Sequence, residues 1–160
     1  MSDPESGIVS SSGCESTVLT ADTAGTTLTC SATNGAQLSN SASVTIKIDT
    51  APPAIAGMPA GCSLWPPNGK LVELATVAAT DALSQVSTFN VTGSSNEGPN
   101  PSADIVITGT DLQPRTVRVR ADRQGNGNGR IYTLTATAID LAGNTTVATA
   151  LCTVPHDQGR

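Results

Sequence analysis

Apolar residues in this chain recur at every second position and almost never at helical spacing. Val44, Ile46 and Ile48 alternate with Ser43, Thr45 and Lys47, and Val117, Val119 and Ala121 alternate with Thr116, Arg118, Arg120 and Asp122. Leu28, Cys30 and Ala32 fall on one side of such a run, as do Tyr132, Leu134, Ala136 and Ala138. Period two sends successive side chains to opposite faces, so these segments read as half-buried strands and Cys30 is expected to face a core. Strands are predicted near residues 17–20, 26–34, 41–48, 71–79, 86–92, 103–109, 115–122, 130–139 and 145–154. Turn-rich stretches such as Pro66-Pro67-Asn68-Gly69 and Gly125-Asn126-Gly127-Asn128-Gly129 separate them. Short strands without helices predict an all-β chain built from sandwich material.

Trp65, Tyr132 and Phe89 are the only aromatic residues. The core therefore rests on Val, Ile, Leu and Ala, each burying little area at roughly 25 cal/mol per Å². Covalent staples suit such a thin core. Four cysteines, few lysines and a net charge of −5 fit an extracellular disulfide protein better than a cytosolic one. Zinc is disfavoured, because Cys14, Cys30, Cys62 and Cys152 contain no close C-x₂-C pair and His156 is the only histidine. No run approaches the roughly 18 apolar residues of a membrane span. The start, Met1-Ser-Asp-Pro-Glu5, is too polar for a secretion signal. If the protein is exported, its signal is expected to lie outside these residues.

An internal repeat organises the chain. Leu28-Thr-Cys-Ser-Ala-Thr-Asn-Gly-Ala36 aligns without a gap against Leu134-Thr-Ala-Thr-Ala-Ile-Asp-Leu-Ala142. Both copies pass through a polar turn into a last alternating strand. Asp49-Thr-Ala-Pro-Pro53 follows the first copy, and proline cannot continue a central strand, so a domain junction is expected near residue 50. Residues 1–49 are too short for a sandwich of about 100 residues. They read as the closing strands of one, and residues 50–160 as a whole one.

Tyr132-Thr-Leu-Thr-Ala-Thr-Ala-Ile-Asp140-Leu-Ala-Gly143-Asn144-Thr-Thr resembles the penultimate strand, D-x-A-G-N turn and last strand of bacterial extracellular immunoglobulin-like repeats, including those similar to the hyalin repeat. Asp49-Thr-Ala-Pro-Pro53 is similar to the junction that opens the next repeat in such arrays. Leu64-Trp65-Pro66-Pro67-Asn68-Gly69-Lys70 and Val154-Pro155-His156-Asp157-Gln158 look like parts of C-terminal modules of large bacterial surface proteins. The resemblance implies tandem immunoglobulin-like β-sandwich units, the first incomplete, in an extracellular setting. The first copy departs from the pattern, with Asn34-Gly35-Ala36-Gln37-Leu38 where Asp-x-Ala-Gly-Asn is expected.

Four cysteines allow three pairings. Cys14 with Cys30 and Cys62 with Cys152 keeps each bond inside one unit, with loop entropies of roughly 3 and 4 kcal/mol; free buried thiols are the competing state. Asp49, Asp81, Asp140, Asn144 and Asp157 fall at predicted strand ends or turns. Asp49, Asp140 and Asn144 are thus candidate calcium ligands, since calcium takes hard oxygen donors. A plainer reading competes: Asp and Asn bond turn backbone and Gly supplies positive φ. The Gly125–Gly129 segment lacks the lysine and serine of a phosphate loop and reads as a flexible hairpin. Arg115, Arg118, Arg120, Arg123 and Arg130 read as a solvated strand face. Negative net charge and scarce aromatics argue against nucleic acid.

Nothing singles out a nucleophile with a base, and His156 beside Asp157 reads as a tail or junction contact, so no enzymatic activity is expected. The expected role is a structural or adhesive module of a secreted or cell-surface protein. Its expected partners are neighbouring domains or identical subunits, the latter joined through strand edges. The alternative is a carbohydrate-binding sandwich that uses Trp65 as its aromatic platform.

Overall fold

The structure, a computed structural model, describes residues 2–98 and 101–157, the side chains of residues 101 and 102 excepted. The chain divides into two compact units, Met1–Ala51 and Pro52–Arg160.

The first unit is one three-stranded antiparallel sheet in the order β1 (Ile8–Ser12), β2 (Thr23–Asn34), β3 (Ser39–Ile48). Residues 17–20, expected as a strand, are not one; the third strand is Ile8–Ser12 instead. Thr17-Val18-Leu19-Thr20 has strand-forming side chains, but Val18 is 83% exposed, and β propensity without a partner does not make a strand. Opposite residues of β2 and β3 share faces: Leu28 pairs with Val44 and Cys30 with Ala42, whereas Thr27 pairs with Thr45 and Thr29 with Ser43. The second set forms a hydroxyl ladder. Thr27 is hydrogen-bonded to Thr45 (2.9 Å), Thr29 to Ser43 (2.8 Å) and Thr33 to Ser39 (2.8 Å).

The second unit is a two-layer sandwich. One sheet has the order β5 (Cys62–Ser63), β11 (Thr145–Pro155), β10 (Gly129–Asp140), β7 (Val86–Ser95). The other has the order β4 (Ala54–Ala56), β6 (Leu71–Thr80), β9 (Arg115–Arg120), β8 (Ile105–Thr108). The first strand is split: β4 pairs antiparallel with β6 in one sheet, while β5 runs parallel to the last strand, β11, in the other. This is the strand distribution of an immunoglobulin-like sandwich. A single helical turn, α1 (Pro101–Asp104), leads into β8, which shortens the strand expected at 103–109.

Period-two patterning places the core as the sequence implied. Tyr132, Leu134, Ala136 and Ala138 of β10 are fully buried, together with Val117 and Val119 of β9. Val77, Phe89, Val91, Ile105, Cys152 and Val154 complete the cluster. The layers approach closely over Gly93 on β7, where a Cβ would lie 2.8 Å from Ile105 Cγ2 and 3.3 Å from Leu134 Cδ2. Any larger residue there would have to push the sheets apart.

Candidate functional site

Two covalent staples fix the strands. Cys14 is bonded to Cys30 and Cys62 to Cys152. The second bond joins β5 to β11 across a parallel register in which the two cysteines face one another, tying the first strand of the second unit to its last.

The loop end of that unit is organised by two carboxylates. Asp140 closes β10 and is 2% exposed. Its Oδ1 accepts the Asn144 backbone N–H (2.8 Å) and its Oδ2 accepts the Asn144 side-chain amide (2.9 Å). Gly143, at φ +95°, turns the chain between them, a conformation that glycine tolerates at no steric cost. Burial pushes the Asp140 carboxyl up, but the bonds from Asn144, Gly143 and Ala142 outweigh it and hold the group below the ordinary carboxylate range. Asp81 follows β6 and accepts the backbone N–H groups of Leu83, Ser84 and Gln85 at 2.8–3.0 Å. Its carboxyl is likewise lowered, against burial and the neighbouring charge of Asp140. An oxygen of Asp81 and one of Asp140 stand within 4.8 Å of each other. In the first unit, Asp49 follows β3, and its Oδ1 accepts the Ala51 N–H at 3.0 Å. Each of these groups thus takes the turn-bonding role that Asp and Asn play when their side chains satisfy local backbone. They also offer the hard oxygens that calcium takes.

Arginines that read as a solvated face are in fact consumed by the fold. Arg115 is 8% and Arg130 5% exposed. Arg115 donates to the carbonyls of Phe89, Asp111 and Gln113 and lies over the Phe89 ring at 5.4 Å. Arg130 donates to Asp104 Oδ2 (2.8 Å) and to the Tyr132 hydroxyl (2.9 Å), which itself donates to the Arg120 carbonyl (2.8 Å). Glu97 Oε2 stands 3.6 Å from Arg130 Nε. Burial works against the Arg130 charge, yet Tyr132 and Asp104 raise its pKa on balance; burial raises that of Tyr132 against the pull of Arg130. Arg120 pairs with Asp104 at 2.8 Å, and Arg118 pairs with Glu73 at 3.0 Å on the surface. Strand alternation could not reveal this, because the partners come from α1 and the loop after β7.

The Gly125–Gly129 loop is held from three sides. Its leading residue, Gln124, donates its N–H to Glu97 Oε2 (2.7 Å), His156 Nε2 is 2.9 Å from the Gly125 carbonyl, and Arg123 donates to the carbonyls of Pro155 and His156. The other ring nitrogen of His156 meets Asp157 at 3.0 Å. Both histidine nitrogens therefore serve loop and tail, and no hydroxyl or thiol nucleophile is among these partners.

Trp65 lies between β5 and β6, 44% exposed, with a cis bond to Pro66. The turn behind it is pinned to the body: Gly69 N–H donates to the Ala121 carbonyl, and Ala121 N–H to the Lys70 carbonyl, both at 2.8 Å. A half-exposed indole on a fixed turn has the form of an aromatic platform.

No family model matches the chain, and no curated protein matches it. Among solved structures, the protocadherin GammaB4 extracellular domain shares 11% identity with a TM-score of 0.45, over 81% of this chain and 20% of that one. Protocadherin Gamma B2 extracellular cadherin domains 3-6 share 12% identity with a TM-score of 0.39, over 79% of this chain and 30% of that one. The chain thus spans less than a third of either protein, and its own strand order carries the fold assignment.

Proposed function

We propose that this chain is a non-catalytic structural or adhesive module of a secreted or cell-surface protein, of the bacterial immunoglobulin-like, hyalin-repeat-like kind. One observation carries the reading: the chemistry-bearing side chains are spent on the sandwich itself. Arg115, Arg120, Arg123, Arg130, Tyr132 and His156 all bond backbone or buried partners within the second unit. Two disulfides support an oxidising compartment. Its partners in this reading are neighbouring domains or identical subunits, and the outer edges of β1 and β3, the borders of the first unit's sheet, support joining by strand edges. Calcium remains part of the proposal, with Asp49, Asp140 and Asn144 as hard oxygen donors; a rise in Tm with calcium over chelator tests it through linkage.

The exposed indole favours a second reading, a carbohydrate-binding module centred on Trp65. A glycan array run with the wild-type chain and with Trp65→Ala separates the two. The structural reading expects no glycan signal that depends on Trp65. A signal abolished by the substitution would replace it with the carbohydrate-binding one.

A further inference from the structure

The internal repeat makes the first unit comparable with the second, strand for strand. Leu28, Cys30 and Ala32 align with Leu134, Ala136 and Ala138. Leu28 faces Val44 across β2 and β3 as Leu134 faces Ala150 across β10 and β11. In the second unit this face is the inside of the sandwich, covered by the β4-β6-β9-β8 sheet, with Leu134 at 0% and Ala150 at 8% exposure. In the first unit the same face has no second layer of its own: its one sheet has three strands, and Val44 is 55% exposed. The opposite face is already satisfied by its hydroxyl ladder.

We propose that this face, formed by Leu28, Cys30, Ala32, Ala42, Val44 and Ile46, is a docking surface for a second copy of the chain, the two sheets packing as the layers of a sandwich. Three arguments choose this occupant. None of the six side chains is charged, so the net charge of −5 places no like charges in the contact. A flat apolar sheet face is complementary to its own copy about a two-fold axis, which is how most homodimers close, and sheets stack face to face at about 10 Å. The area sets the strength. Strands of this length, spaced about 4.8 Å apart at about 3.3 Å per residue, present roughly 400 Å² per copy. About 800 Å² in total lies below the roughly 1,200 Å² of stable complexes. The dimer is therefore weak and reversible, in keeping with contacts that act in number. This contact is distinct from pairing through strand edges, and it stands whether or not Trp65 binds glycan.

Sedimentation equilibrium of the whole chain, from micromolar to millimolar concentration, tests the proposal against two variants at exposed positions. Val44→Lys puts a charge into the contact and is expected to weaken association at least about tenfold. Thr27→Lys, on the hydroxyl face, is expected to leave it unchanged. If Val44→Lys fails to fold, Ala42→Glu on the same face replaces it. A chain that stays monomeric throughout, or association that survives the Val44 and Ala42 substitutions as edge pairing would, overturns the proposal. Equal weakening by Thr27→Lys also overturns it.

Discussion

Asn144 donates its backbone N–H and its side-chain amide to the two oxygens of one buried carboxylate, that of Asp140, at 2.8 and 2.9 Å. The pair closes the β10–β11 hairpin around Gly143. The same turn in the first unit is built by Asn34, whose Oδ1 accepts the Ala36 and Leu38 N–H groups. One carboxylate is thereby replaced by a neutral amide in the equivalent position.

The Asp140 carboxyl is held below its ordinary value in the folded chain. A group depressed on folding contributes stability that is present above its unfolded pKa, about 3.9, and is lost as pH falls through the lower folded value. Asp140→Asn should flatten the acid limb of the stability curve in that window and lower the urea midpoint at pH 7. Urea titrations across the acid range check this. An unchanged acid limb would mean that the carboxylate does not organise the turn.

His156 works with the opposite sign. The Gly125 carbonyl and then Asp157 raise its pKa above the usual 6.5. Its contribution is complete below the unfolded value and is lost as pH rises through the raised folded value. The stability difference between the wild-type chain and His156→Gln should shrink on moving upward from about pH 6.5. An NMR titration of the imidazole gives the folded pKa directly.

Tyr132 carries the one hydroxyl that links Arg130 to the Arg120 carbonyl. Tyr132→Phe keeps the ring in the core but leaves two buried polar groups short of a partner, at a cost of about 1–3 kcal/mol. Chemical denaturation of the variant measures it. A neutral result would show that water takes the place of the hydroxyl.

Leu134 and Leu28 occupy equivalent positions in the repeat, one sealed in a sandwich and one on an open sheet. Leu134→Ala should cost about 2–5 kcal/mol through lost transfer energy and a cavity. Leu28→Ala should cost under about 1.5 kcal/mol at low concentration, since less area is removed from water. Amide hydrogen exchange of β10 and of β2 reads the two units separately.

Much of this architecture was legible in the alternation of β2, β3, β6, β9 and β10, because period two and burial on one face are the same physical fact. The burial of Tyr132 through Ala138 and of Val117 and Val119 followed from it. What the pattern could not show depended on partners distant in sequence. Thr17–Thr20 has the composition of a strand and lacks a neighbour, whereas Ile8–Ser12, poor in apolar residues, gains one in β2. The short β4 and β5 exist only because β6 and β11 offer them an edge. Arg115 and Arg130 read as exposed because charged residues usually are. The carbonyls and carboxylates that bury them come from the loop after β7, from α1 and from the loop before β9. The Asp140–Asn144 turn, by contrast, was readable from five consecutive residues.

The central claim is that a thin aliphatic sandwich serves as a durable extracellular module because its first and last strands are covalently joined. Thermal unfolding of the oxidised and the reduced chain tests it most directly. The bond between Cys62 and Cys152, separated by 90 residues, should contribute about 4 kcal/mol. Reduction should therefore lower the Tm of the second unit by roughly 15–30 °C. An unchanged Tm after complete reduction would contradict the account, since the sandwich would then hold without its staple.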